Sequence, residues 1–307
     1  MKKITYTIVV AVILSLSACK TDAKKADNGK LNVVTTTTMI TDLLHNIGGD
    51  AINVVGLMGS GVDPHLYKAS EGDVTKLVDS DVVFYGGLHL EGKLVEVFEK
   101  MEKTNKKTVA VSDALDKKEL IGSEYFASNY DPHIWFNVIF WKQITTYVAN
   151  ELKKLDPKNA AVYEENSKVY LEKLTKLDSD LRETISQLPE EKRVLVTAHD
   201  AFNYFGKSYG FNVVGLQGIS TATEAGVQDV QELSKFIIDN KVKAIFVETS
   251  VPKRTIEALQ ASVQSKNHNV TIGGTLYSDA LGDKGTVEGT YIGMFRYNVT
   301  TIVTALK

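Results

Sequence analysis

Six histidines are spread over a chain of 307 residues that has a single cysteine. Three of them stand in short, stiff stretches. His65 closes Gly61-Val62-Asp63-Pro64-His65, His133 lies in Asp131-Pro132-His133-Ile134-Trp135, and His199 lies in Val196-Thr197-Ala198-His199-Asp200. Proline fixes φ and stiffens a loop, so an imidazole following Asp-Pro is held without help from a helix or strand. The preceding Asp has the chemistry to cap the turn or to accept an N–H from the ring, a bond that fixes the tautomer of a ligating histidine. Imidazole suits Zn²⁺, Mn²⁺, iron or copper, and a carboxylate commonly completes such a shell. Asp200, Glu248 (closing KAIFVE) and Asp279 (in Thr275-Leu276-Tyr277-Ser278-Asp279) are the candidates, and position alone does not separate Glu248 from Asp279. His45, inside a helix pattern, and His268, in the polar turn KNHN, read as structural or solvated. His89 follows Gly86-Gly87-Leu88 just past a strand, near a possible cleft.

Other chemistries find little footing. One cysteine makes neither an internal disulfide nor a Cys-based zinc site. There is no G-x-S-x-G elbow, no phosphate loop and no H-E-x-x-H, and Gly282-Asp283-Lys284-Gly285 reads as a plain turn. With 43% hydrophobic and 24% charged residues the chain is globular, and a net charge of −3 argues against a dedicated nucleic-acid binder.

The histidines need elements that place them. Short β-type runs alternate with helical patterns in two stretches, which indicates largely parallel sheets covered by helices, an α/β fold. In the first, strands are expected at Leu31–Thr35, Ile52–Met58, Asp81–Tyr85 and Val109–Val111, with helices at Thr38–Ile47, Ser70–Asp79 and Lys93–Asn105. In the second, strands are expected at Arg193–Thr197, Phe211–Gly215, Val242–Val247 and Val270–Gly273. Helices fall near Ala201–Tyr209, Val227–Asn240, Pro252–Gln264 and Gly289–Leu306. Val138–Leu155 is helical, and from Asp156-Pro157 a pattern runs unbroken to Gln187. Its apolar Leu174, Leu177, Leu181, Ile185 and Leu188 fall on one helix face. The expected organisation is an N-terminal lobe (31–156), a long rigid linking helix (157–188) and a similar C-terminal lobe (189–307). In open α/β sheets ligands bind beyond the carboxyl ends of strands, where His65 and His199 fall.

The first residues follow another logic. Lys2 and Lys3 precede the mostly apolar Ile4–Leu16, which is too short to span a bilayer comfortably. Leu16-Ser17-Ala18-Cys19 looks like a bacterial lipobox, so residues 1–18 are expected to be a signal peptide and Cys19 the acylated N-terminus. Residues 19–30 then form a polar tether outside the cytoplasmic membrane. No later segment is apolar enough to span.

In order and spacing, VVTTTTMITDLLHNIGGD, GVDPHLYKAS, GLHLEGK, DPHIWFN, VLVTAHDAFNYFGKSYG, VFVETS and GGTLYSDALG, after the lipobox and tether, resemble the cluster A-I (cluster 9) metal-binding lipoproteins of manganese/zinc-type ABC importers. The resemblance covers essentially all of Leu31 to Lys307. It implies two α/β lobes joined by one long helix, with one divalent ion as cargo in the cleft between them. It implies His65 and His133 from the first lobe, His199 as the third ligand and Asp279 as the fourth, with Glu248 near the site but outside the primary ligands. It also implies a permease partner, a lipid anchor on Cys19 at the extracytoplasmic face of the cell membrane, a monomer, and no enzymatic activity. Zinc-uptake members often carry a His- and acid-rich loop, whereas the stretch between Ala114 and Asp131 has no histidine. Many manganese-selective members carry Glu at the third ligand position, where this chain has His199. The whole pattern sits closest to manganese-type members with three His and one Asp, which makes Mn²⁺ the expected cargo and Zn²⁺ the next. The rival is a secreted zinc-dependent hydrolase using the same histidines. It would need a bound water and a general base, roles nominally open to Glu248 or Asp200.

Overall fold

The structure is a computed structural model and describes residues 29–123, 126 and 128–307. The expected signal peptide, Cys19 and nearly all of the tether lie outside the described residues. Among the described residues no helix is long and apolar enough to cross a membrane.

The first lobe is built on one parallel sheet of β1 (Leu31–Thr35), β2 (Ile52–Gly56), β3 (Val82–Tyr85) and β4 (Lys107–Ala110), in the order β2-β1-β3-β4. Leu31 pairs with Ile52, Val33 with Val82, and Val82 with Lys107. Three helices connect these strands: α1 (Thr38–Gly48), α2 (Glu71–Asp79) and α3 (Val95–Lys103). On α1 the buried Met39, Ile40, Leu43, Leu44 and Ile47 repeat at helical spacing and face the core. Helix α2 starts on a reciprocal cap, in which Ser70 Oγ accepts from Asp73 N and Ser70 N donates to the Asp73 carboxylate.

Helix α4 (Val138–Leu155) keeps its expected limits, with Asn137 Oδ1 accepting from Ile139 N and Phe140 N. The long pattern after it divides into a 3₁₀ turn, Pro157–Asn159, and α5, Ala160–Ser186. Proline lacks an N–H and suits a first turn, so the regular helix begins beyond it. At 27 residues and about 1.5 Å per residue α5 is a rod of roughly 40 Å. Its buried Tyr163, Tyr170, Leu174, Leu177, Leu181 and Ile185 form one face. Near its start Asn166 Nδ2 donates to Ile47 O of α1 (3.0 Å), and near its end the Asp178 carboxylate accepts from Tyr209 OH (2.9 Å). The helix therefore braces both lobes.

The second lobe holds two parallel pairs, β5 (Val194–His199) with β6 (Asn212–Gln217), and β7 (Ala244–Glu248) with β8 (Thr271–Leu276). Strand β5 lies beside β7, and where they end His199 N–H donates to the Glu248 side chain rather than to a strand carbonyl. Around them stand α6 (Asn203–Tyr209), α7 (Val227–Asp239), α8 (Arg254–Gln264) and α9 (Tyr291–Leu306). This sheet is less continuous than that of the first lobe, so the lobes are alike in plan and not in detail. Strand β5 also runs two residues past its expected end and includes His199 itself.

One buried core crosses from lobe to lobe, joining α1, α4 and α5 to Phe202, Phe205, Tyr291, Phe295 and the rest of α9. Separate apolar layers lie outside it, one around Leu77, Val83 and Phe98, the other around Ile237, Ile245 and Leu259. The molecule thus has a welded centre with thinner outer layers.

Candidate metal centre

His65 stands in the loop after β2, His133 before α4, His199 at the carboxyl end of β5 and Asp279 in the loop after β8. All four are buried, and one ligand atom from each lies within 4.8 Å of the others. His65 Nε2 is 3.3 Å from His133 Nε2, His133 Nε2 is 3.5 Å from Asp279 Oδ1, and His199 Nε2 is 3.3 Å from Asp279 Oδ2. His199 Nε2 and Asp279 Oδ1 have no hydrogen-bond partner among the described residues. Buried polar atoms are almost always satisfied, so two orphans pointing into one group of nitrogens mark a place built for something else.

The two Asp-Pro-His turns are used differently. Asp131 Oδ1 accepts from His133 N (2.9 Å) and from the ring Nδ1–H (2.7 Å), which turns Nε2 toward the cluster. Asp63 Oδ1 also accepts from His65 N (2.8 Å), but its second oxygen accepts from Thr221 Oγ1 of the other lobe (2.5 Å). Glu248 stands behind His199, taking the ring Nδ1–H on Oε2 (2.6 Å) and the backbone N–H on Oε1 (2.9 Å). Both its oxygens are committed to orienting one imidazole. Gly215 on β6 allows β5 to pass this closely, since a Cβ there would sit 2.5 Å from Asp200 N. The Asp279 loop is pinned from the first lobe, where Trp135 Nε1 donates to Ser278 O (3.0 Å) and Thr38 Oγ1 accepts from Leu281 N (2.8 Å), and within its own lobe Ser250 Oγ donates to Asp279 Oδ2 (3.3 Å).

Burial drives the His65 imidazole down to about 3, aided by the neighbouring rings, so it is neutral with a lone pair free near pH 7. Burial also disfavours the charged form of His133, but Asp131 and Asp279 outweigh it and lift that ring to about 9. The same contest lifts His199 well above the ordinary imidazole value, burial being overcome by Glu248 and Asp279. Asp279 is disfavoured by burial yet held well below the usual carboxylate range by His199 and His133. The two raised imidazoles thus face the Asp279 carboxylate, and the charged form of each is favoured by the carboxylates around it.

The remaining candidates lie elsewhere. His45 and His89 are exposed, and His268 Nε2 is 3.4 Å from Val242 O. Asp200 lines an adjoining cavity and contributes no atom to the group of four. Asp131 takes the ring N–H of His133 as the Asp-Pro-His pattern suggested, whereas Thr221, Ser250 and Trp135 escaped the sequence reading.

The model of the family described as "zinc-uptake complex component A periplasmic" (ZnuA) matches residues 33–305. The chain belongs to this family. It is 48% identical over 300 residues to the manganese-binding lipoprotein MntA of Bacillus subtilis, covering 97% of each chain. It is also 48% identical over 281 residues to the zinc-binding protein TroA of Treponema pallidum, covering 92% of this chain and 90% of that protein. The solved structure of Treponema pallidum TroA superposes with a TM-score of 0.88 over 91% of this chain and 99% of that one. Within the family two equally similar relatives thus carry the names of two different metals.

Proposed function

We propose that the protein is the extracytoplasmic metal-capturing component of a manganese/zinc-type ABC importer, which binds one divalent ion in the interlobe site and hands it to a membrane permease. The observation carrying this reading is the buried convergence of His65, His133, His199 and Asp279 from two lobes. In this reading those four are the ligands, residues 31–156 and 189–307 are the lobes, 157–188 joins them, and Cys19 carries a lipid that keeps the protein at the membrane. Capture in a cleft between lobes suits a carrier, which must let its cargo go. A hydrolase would instead need an open coordination position and a free base, and both Glu248 oxygens are taken by His199.

For the ion, we assign Mn²⁺ as cargo. Zn²⁺ should bind more tightly to any nitrogen-rich site, but availability and release decide what is transported. Asp279 presents one oxygen toward His133 and the other toward His199, at 3.5 and 3.3 Å, which favours two-oxygen coordination and a donor set larger than the tetrahedron zinc prefers. The absence of histidine between Ala114 and Asp131 points the same way. The test is cellular: delete the gene and ask which ion restores growth in chelated medium. Rescue by Mn²⁺ is expected, and rescue by Zn²⁺ alone would overturn the manganese assignment.

A further inference from the structure

Of the four clustered side chains, His65 is mounted unlike the other three. Ile134 and Trp135 beside His133, Phe202 just after His199, and Leu276 and Leu281 around Asp279 all lie in the buried core that crosses from lobe to lobe. The loop carrying His65 packs instead on the thin outer layer, through Val62 and Tyr67. The rings are held differently too. Asp131 backs His133 and Glu248 backs His199, whereas among the described residues the His65 ring meets only His133 Nε2 and no carboxylate. At 4% exposure His65 is the most accessible of the four, the others standing at 0 or 1%.

Polar contacts at the seam fasten this loop to the second lobe. The Asp63 carboxylate joins His65 N to the hydroxyl of Thr221, a buried residue of the other lobe. Ser60 Oγ donates to the Asp283 carboxylate. Gly61, at φ +67°, passes close to the second lobe, where a Cβ would stand 3.4 Å from Thr249 O. Thr249 has a buried hydroxyl with no partner among the described residues, so the seam carries an unsatisfied polar group.

We propose that His65 is the ligand that lets the ion go, and that Asp63 and Thr221 are positioning residues that hold it in place until then. His133, His199 and Asp279 form a fixed floor, and the His65 loop swings from it once the hydrogen bond between Asp63 and Thr221 breaks. Glycine at 59 and 61 lets the backbone turn. The swing exchanges seam hydrogen bonds for bonds to water, a small net change, and leaves the apolar centre intact. The inference rests on the metal-binding reading of the cluster, and the experiment separates the two.

Protein loaded with one Zn²⁺ is mixed by stopped flow with a chromophoric chelator, in excess enough that the release rate no longer depends on it. Uptake of Zn²⁺ is timed separately. Thr221→Val removes the hydroxyl at nearly constant volume and should speed release about tenfold or more, as expected for losing a hydrogen bond to a charged group. Uptake should change by less than about twofold. Thr221→Ser keeps the hydroxyl and should rescue slow release, and equal speeding by both variants would make Thr221 a packing residue and overturn the proposal. His65→Ala should still take up one Zn²⁺, more weakly, on the remaining three side chains. Adding Thr221→Val to it should speed release no further, because the partner through which Thr221 acts is gone. No uptake by His65→Ala, or an undiminished effect of Thr221→Val in that background, would overturn the proposal. Wild type that takes up no Zn²⁺ would sink the metal-binding reading itself.

Discussion

Metal capture at neutral pH should expel two protons, and the structure says which. His133 and His199 are raised by Asp131 and Glu248 on their far sides and by Asp279 between them, whereas His65 is pushed down to about 3 by burial. Near pH 7.5 the metal-free cluster therefore holds protons on two Nε2 atoms, and a divalent cation displaces both. The exchange conserves charge, two protons out and one M²⁺ in. Three ordinary imidazoles with pKa near 6.5 would together carry only about 0.3 proton at this pH. The two cases differ by a factor of roughly seven in proton count. They differ as sharply in affinity: two displaced protons make Kd fall about 100-fold per pH unit, or about 2.7 kcal/mol, through the neutral range. Ordinary imidazoles would leave Kd nearly flat above about pH 7.5. Titration calorimetry in buffers of different ionisation enthalpy counts the protons directly, and Zn²⁺ serves as well as Mn²⁺. Fewer than about half a proton released near pH 7.5, with Kd unchanged between pH 7.5 and 8.5, would refute the reasoning.

Glu248→Gln should weaken metal binding about 10- to 100-fold at unchanged stoichiometry, because His199 loses the carboxylate that fixes its ring, and competition with a chromophoric chelator measures this. Saturating metal at about 100 times Kd should stabilise the fold by roughly 2.7 kcal/mol, read as a higher midpoint in denaturant. For the metal-free protein, a raised imidazole contributes stability that is full below the unfolded value of about 6.5 and is lost as pH rises through the folded one, about 9 for His133. Its melting temperature should therefore fall between pH 7 and 10, and bound Zn²⁺ should flatten that fall. Ser70→Ala, remote from the metal cluster, should cost about 1 kcal/mol through the lost cap of α2 and leave Kd alone.

Much of this architecture is legible in the residues because parallel strands are apolar runs and helices carry a 3.6-residue period. Val138–Leu155 falls where the pattern places it, and the Gly48-Gly49 stop ends α1. What the pattern misses are events at boundaries. Pro157 turns the first residues of the linking helix into a 3₁₀ turn, and β5 continues to His199 because its pairing with β6 reaches Gln217. The gathering of four side chains is visible in advance only through loop position and family resemblance. Position alone left Glu248 and Asp279 open, and in three dimensions they part: Glu248 ends β7 beside β5 and reaches the far side of the His199 ring, while Asp279 lies beyond β8 and faces the nitrogens. Thr221, Ser250 and Trp135 carry no signal at all in sequence, since each acts through a contact with a distant loop or the other lobe.

The central claim is that one ion sits among four named side chains. Crystals grown with Zn²⁺ or Mn²⁺ and measured at that metal's absorption edge test it most directly. The account predicts a single strong anomalous peak inside the cluster, about 2.0–2.2 Å from Nε2 of His65, His133 and His199 and from an Asp279 oxygen when the ion is Zn²⁺. A peak bound by another set of residues, or none in the cluster at saturating metal, would contradict it.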